Sequence, residues 1–356
     1  KTFFGRWLQE RARARGFAAS EVQINETETP LHKLETVYRR LVERLGTADT
    51  GGGAFRGVID GWFYALEQDV LADESVDASN ADDLLVRTNT LMEARLATIN
   101  KAAPAFSAVL RTYRRAVADG DTMLADGLIS WLAGQPNVAA SVKRAAGIKG
   151  DLDHFGATNF IVGLLTILRD SGFAGLVLVL DEVETLQRMR TDTREKGLNA
   201  LRQWIDEIDA GRYPGLYLVV TGTPAFFDGP QGVQRLAPLA QRLHVDFGTD
   251  RRFDNPRAVQ IRLSPFDHGA LLSVGRRVRD IYADGRAQES RLRSVVDDAY
   301  IDTLATAVAG GLGGKVGIAP RLFLKKLVAD VLDRVDLHAD FDPKKHYSLT
   351  LAESEM

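Results

Sequence analysis

The densest chemistry in the sequence lies in Leu176-Val177-Leu178-Val179-Leu180-Asp181-Glu182, where five apolar residues run straight into two adjacent carboxylates. A short unbroken apolar run suits a strand buried on both faces of a parallel sheet, and ligands of such sheets sit beyond the carboxyl ends of the strands. One of Asp181 and Glu182 is then placed to hold Mg²⁺ through water, and the other to polarise an attacking water. Neighbouring residues on a strand point to opposite faces, which would separate the two roles. A strand that merely ends in two solvated acids looks the same, so the reading depends on what else reaches that rim.

Three other segments are candidates to reach it. Lys1-Thr2 opens a helix directly, as do the last two letters of a phosphate-binding loop, G-x-x-x-x-G-K-[ST]. There Lys lies on the β- and γ-phosphates and the hydroxyl on Mg²⁺, which makes Lys1 and Thr2 nucleotide-binding candidates. The chain begins without Met or a leader-like segment, and the expectation is that the loop's glycines and a first strand lie upstream. Leu216-Tyr217-Leu218-Val219-Val220 reads as a second buried strand ending at Thr221, a hydroxyl placed to hydrogen-bond the water or the γ-phosphate; a turn that only closes the strand is the plain alternative. Gly317-Ile318-Ala319-Pro320-Arg321 begins a helix, and Arg321 offers two donors to a phosphate. The glycine-rich run Gly310 to Gly314 is followed by Lys315-Val316, not by Lys-Ser or Lys-Thr, and is rejected as a second phosphate loop.

The elements that must hold these residues follow from periodicity. A helix over 2–15 precedes a short strand over 17–24, and Leu31, Leu34, Val37, Tyr38, Leu41, Val42 and Leu45 recur at helical spacing. After Gly51-Gly52-Gly53, helix follows helix to about residue 146, an all-helical insertion over about 51–150. Helices over 157–169 and 194–209 flank the strands 176–180 and 216–220, and 258–263 reads as one further strand. Beyond Ser264-Pro265 the pattern returns to helices over 271–282, 297–308 and 321–335. The expected class is therefore α/β: a parallel-sheet core over 1–264 with the helical insertion, a helical lid over 265–341 and a loose polar tail over 342–356.

With these segments in view the chain resembles the AAA+-like P-loop ATPases, and more closely the BREX-system ATP-binding protein family BrxD of bacterial phage defence. The closer likeness is carried by Lys1-Thr2-Phe3-Phe4, by Leu31-His32-Lys33-Leu34-Glu35-Thr36-Val37-Tyr38-Arg39, by Leu180-Asp181-Glu182-Val183-Glu184 and by Ala319-Pro320-Arg321. The resemblance implies that Lys1 and Thr2 belong to Walker A, Asp181 and Glu182 to Walker B, Thr221 to sensor 1 and Arg321 to sensor 2. The chain departs from the pattern in lacking the first strand and the Walker A glycines, and in carrying Thr at sensor 1 where Asn is common. It also implies an arginine finger from a neighbouring subunit, hence a homo-oligomer. Arg235 and Arg242 are the candidates, each equally readable as a helix-face arginine, and Arg242 is preferred.

Composition bounds the rest. At ~150 residues per domain, 356 residues make about two domains. The charge of −3 excludes a general nucleic-acid coater, so any DNA contact must be local. Among the basic clusters, Arg111-Thr112-Tyr113-Arg114-Arg115 alone interleaves an aromatic, as a phosphate-plus-stacking surface would. Zero cysteines exclude disulfides and thiolate sites, the six histidines show no ligand spacing, and no Gly-x-Ser-x-Gly elbow is present. The longest apolar run is five residues against the ~20 of a membrane helix, and a cytoplasmic protein is expected. Two functions stay open: an Mg²⁺-dependent ATPase acting on DNA or on a partner such as a helicase, or a nucleotide-gated adaptor with little turnover. Glu182 favours the first, because a switch that never hydrolyses needs no general base.

Overall fold

Three strands form one parallel sheet in the order β1 (Ala18–Gln23), β2 (Leu176–Asp181), β3 (Leu216–Val220). Ala18 pairs with Leu176 and Gln23 with Asp181, while Leu176 pairs with Leu216, so all three strands enter and leave level with one another. The computed structural model describes residues 1–72, 80–264, 266–311 and 319–349. It is a mixed α/β protein whose described residues fall into two units: Lys1–Phe253 with Arg257–Gln260, and Asp254–Pro256 with 261–349.

In the first unit α1 (Thr2–Arg13) precedes β1 and α2 (Leu34–Glu43) follows it. Between α2 and β2 come α3 (Phe55–Leu71), α4 (Ala81–Arg95), α5 (Ala97–Ala102), α6 (Pro104–Ala118), α7 (Thr122–Leu132), α8 (Ala140–Ala145) and α9 (His154–Asp170). The crossover from β2 to β3 is a 3₁₀ turn, Val183–Arg188, and then α10 (Thr191–Asp209); α11 (Pro224–Asp228) and α12 (Ala237–Leu243) follow β3.

The pleat divides the sheet into two unequal faces. Ala18, Val22, Leu176, Leu178 and Leu180 enter the large core together with α2, the insertion helices, α9 and α10. Ala19, Val177 and Val179 face the other way and meet Ala12, Leu8, Phe17 and Val219. All six residues of β2 are buried, as a central strand requires. The sheet is entered tightly: Gly175 sits at φ +148°, and a Cβ there would stand 2.2 Å from the Gly215 carbonyl oxygen, so no other residue fits.

Two expectations about strands are corrected. Residues 258–263 form no strand; Val259, Ile261 and Leu263 are exposed and have no strand to pair with, so their alternation is that of an irregular segment. β3 is not fully buried, since only Leu216 is, and Tyr217 is 62% exposed on the face where α1 packs over β1 and β2. On α1 the buried residues are Gly5, Gln9 and Ala12, while Phe3 and Trp7 lie outward with the Arg11 guanidinium 5.0 Å from the Trp7 ring.

The second unit is helical, with α13 (His268–Ala283), α14 (Glu289–Val295), α15 (Asp298–Gly311), α16 (Ala319–Lys325), a π-helical segment Lys326–Leu332, α17 (Asp333–Leu337) and α18 (Pro343–His346). Leu271, Ile301, Phe323, Leu327 and Val331 centre its core. The expected loose tail is docked through residue 349. Tyr347 and Leu349 pack on that core, the Tyr347 hydroxyl donates to Asp330 at 3.1 Å, and Lys344 pairs with Asp297 at 2.7 Å. Pro265, the glycine-rich 312–318 and the tail 350–356 lie outside the described residues.

Candidate functional site

Strand parity builds the site. Val177, Val179 and Asp181 alternate onto the face that α1 covers, and the register puts Gln23 beside Asp181 on β1. Thr221 follows β3 on the same face, its amide donating to the Leu180 carbonyl at 2.9 Å. α1 runs antiparallel to β1, so its first residues, Lys1 and Thr2, come down on the rim where these three strand ends stop. Gly5 lets the helix lie close, since a Cβ there would touch Val179 at 3.6 Å and Glu21 at 3.8 Å.

Asp181 is 4% exposed and organises the rim. Its Oδ1 accepts the Thr221 hydroxyl and, at 2.9 Å, the Glu182 amide. That leaves Oδ2 turned toward Thr2 Oγ1, which donates to it at 3.4 Å. A buried carboxylate held by two donors on one oxygen is fixed in direction, with the other oxygen available to a cation. Glu182 does not continue the strand. It stands at φ 60°, ψ 35°, a left-handed conformation that costs a non-glycine residue roughly 1 kcal/mol or more. This turn, not strand alternation, separates its side chain from that of Asp181. Its Oε2 accepts from Gln23 Nε2 at 2.8 Å.

Lys1 and Glu184 form an ion pair at the same rim, their side chains 26% and 18% exposed. The hydroxyl and carboxylate of Thr2 and Asp181 are hard oxygen donors, and no group of three His, Cys, Asp or Glu side chains among the described residues makes a self-contained metal cage. Such a pair fits Mg²⁺, which keeps waters and takes one or two carboxylates beside substrate phosphates.

The remaining candidates lie elsewhere. Arg242 on α12 is bonded to Asp206 of α10 and donates to the Pro238 carbonyl at 2.8 Å; Arg235 pairs with Glu195 at 3.0 Å. Arg321 is exposed on α16 in the second unit. In the insertion, Arg111 and Arg115 are exposed and paired with Glu93 and Asp119, at 3.0 and 3.7 Å. Tyr113 and Arg114 turn inward, 2% and 7% exposed, so the interleaved aromatic is not a surface group. The Tyr113 hydroxyl donates to Asp60 at 2.6 Å, and burial followed by that bond pushes its pKa up. Burial lowers the Arg114 pKa against the pull of Glu67, 2.6 Å away.

Leu31, Leu34, Val37 and Tyr38 of the 31–39 stretch are core residues, with the Tyr38 hydroxyl on the Leu132 carbonyl at 2.8 Å. His32 Nδ1 and Glu35 Oε2 are buried without partners, and burial, then Lys196 and Lys33, lower the His32 pKa. Sequence reasoning passed over Gln23 and Glu184. Gln23 is recoverable as the last residue of the strand in register with Asp181; Glu184 stands inside the acidic motif, with no spacing rule to give it a role.

Three carboxylates, a lysine and two hydroxyls thus gather at the carboxyl rim of a parallel sheet, the edge where ligands of such sheets are held. Residues 1–351 match the family described as BREX system ATP-binding protein BrxC/D, and the chain belongs to that family. Neither the curated proteins nor the solved structures yield a match. The family supports ATP as ligand and a place in a BREX defence system. Among the described residues no helix is long and apolar enough to cross a membrane.

Proposed function

We propose that the protein binds ATP at the rim and hydrolyses it, with a P-loop, AAA+-like organisation in which the second unit is the lid. The observation that carries this reading is the convergence of Thr2, Asp181 with Glu182, and Thr221 through hydrogen bonds from three separate parts of the chain. Lys1 binds the β- and γ-phosphates, and Thr2 with Asp181 would hold Mg²⁺, whose positive charge offsets that of the phosphates when bound. Asp181, fixed through Oδ1 by Thr221, keeps Oδ2 on the side of Thr2, where that cation would sit. Glu182, carried clear of the strand by its left-handed backbone, orients a water and accepts its proton.

The driven process is, on this reading, work on DNA through a partner such as a helicase, with the protein assembling with copies of itself. Direct contact through Arg111 and Arg115 is the weaker route, because Tyr113 and Arg114 are buried. Phosphate release by the intact protein, with and without DNA, tests the reading. Glu182→Gln is expected to lower the rate about 100-fold or more while nucleotide binding persists. Equal low rates in wild type and variant would leave the nucleotide-gated adaptor instead.

A further inference from the structure

The rim contains one charged side chain that the hydrolysis reading does not use. Glu184 lies two residues past Glu182 in the 3₁₀ turn, and its Oε1 holds the Lys1 ammonium. Lys1 is exposed at the rim and Glu184 is partly buried, and the second carboxylate oxygen, Oε2, is buried without a hydrogen-bond partner. Among the described residues no other hydrogen bond or ion pair reaches this carboxylate, so its charge depends on Lys1. The turn cannot simply follow the lysine. Gln187 donates to the Ala225 carbonyl at 2.8 Å, and Arg194 of α10 donates to the Gln187 carbonyl at 3.3 Å. Lysine, in contrast, carries its charge on a flexible four-carbon stem.

We propose that Glu184 is an internal competitor for Lys1: a fixed carboxylate that binds the ammonium which nucleotide phosphate requires, and so sets how tightly nucleotide is held. The proposal rests on the reading of Lys1 as the phosphate-binding lysine. One ammonium on a single stem cannot take the geometry of both anions, so phosphate gains Lys1 only by displacing Glu184. The apparent affinity falls by the fraction of time that Lys1 is engaged. The displaced carboxylate, partly buried and half-satisfied, then weighs against the bound state, since a buried charge without a partner is costly.

The test is titration of the intact protein with the fluorescent nucleotide mant-ADP in the presence of Mg²⁺. Glu184→Gln is expected to tighten binding about tenfold, and Glu184→Asp, which withdraws the carboxylate from Lys1 but keeps its charge, to tighten it by less. In a Lys1→Met background Glu184→Gln is expected to change nothing, because the competitor acts only through the lysine. The same tenfold tightening without the lysine would overturn the proposal, since Glu184 would then act by repelling phosphate directly. Unchanged or weaker binding in Glu184→Gln and Glu184→Asp would overturn it too, by showing that Glu184 holds Lys1 ready for phosphate. Lys1→Met binding mant-ADP as tightly as wild type would instead bring down the nucleotide-site reading on which the proposal stands.

Discussion

The rim of the sheet and the interior of the helical insertion use the same kinds of side chain to opposite ends. In the insertion, Tyr113 and Arg114 of α6 reach back to Asp60 and Glu67 of α3, and the Arg114 guanidinium lies 5.5 Å from the Phe63 ring. These groups are spent on joining two helices, with Arg114 Nε and Nη1 buried and unbonded. At the rim, Asp181 is as deeply buried, yet its bonds come from groups that stop at strand or helix ends, and its Oδ2 meets only the Thr2 hydroxyl, at 3.4 Å. Polar residues along a helix side are taken up by the neighbouring helix. Those at strand ends can converge without being used up.

Breaking the insertion pair should have the largest effect on stability. Arg114→Met is expected to cost about 2 kcal/mol or more in urea unfolding, the scale for losing a hydrogen bond between charged groups, since Arg114 is buried and Glu67 35% exposed. Nucleotide affinity should stay as it was, and a joint Glu67→Gln change should recover part of the loss, because no unpaired carboxylate then remains beside the apolar interior. Loss of nucleotide binding in the single variant would undo the division between the two regions.

Thr221→Val probes the rim in the same terms. Removing a hydroxyl that donates to a buried carboxylate is expected to cost about 2 kcal/mol of stability. Here, unlike in the insertion, phosphate release should fall as well, since Asp181 loses one of the donors that fix its direction. A stability loss with unchanged turnover would make Thr221 a packing residue of the Arg114 sort.

The smallest effect concerns His32, in the turn that precedes α2. Its lowered pKa means that folding disfavours its charged form. The unfolded chain therefore takes up the proton first, near pH 6.5, and stability declines as pH falls through that value toward the folded pKa. His32→Gln should flatten the decline in thermal midpoint between about pH 7 and 5. A decline of unchanged steepness would assign it to other groups.

What the residues alone disclosed follows the same division. Leu176–Asp181 was legible because a central strand is buried throughout and needs no knowledge of its partners. The segment 258–263 alternates as a half-buried strand would but joins no strand among the described residues, and no residue in it reports that absence. The direction of Tyr113 and Arg114 was hidden for a related reason. Their partners lie 53 and 47 residues away, and helical spacing cannot say which side of α6 meets α3. The rim groups Thr2, Asp181 and Thr221 could be brought together on paper because parallel strands end on one edge. Gln23 and the left-handed turn at Glu182 needed the register and the backbone itself.

That turn has an evolutionary consequence. Glycine adopts φ +60° freely, so Glu182→Gly is expected to unfold at a higher temperature than the natural chain while losing the side chain that faces Gln23. A population screened only for yield or heat resistance would drift toward this variant. Retention of glutamate at the most strained position of the rim would then measure selection for what the side chain does, in units of the stability forgone.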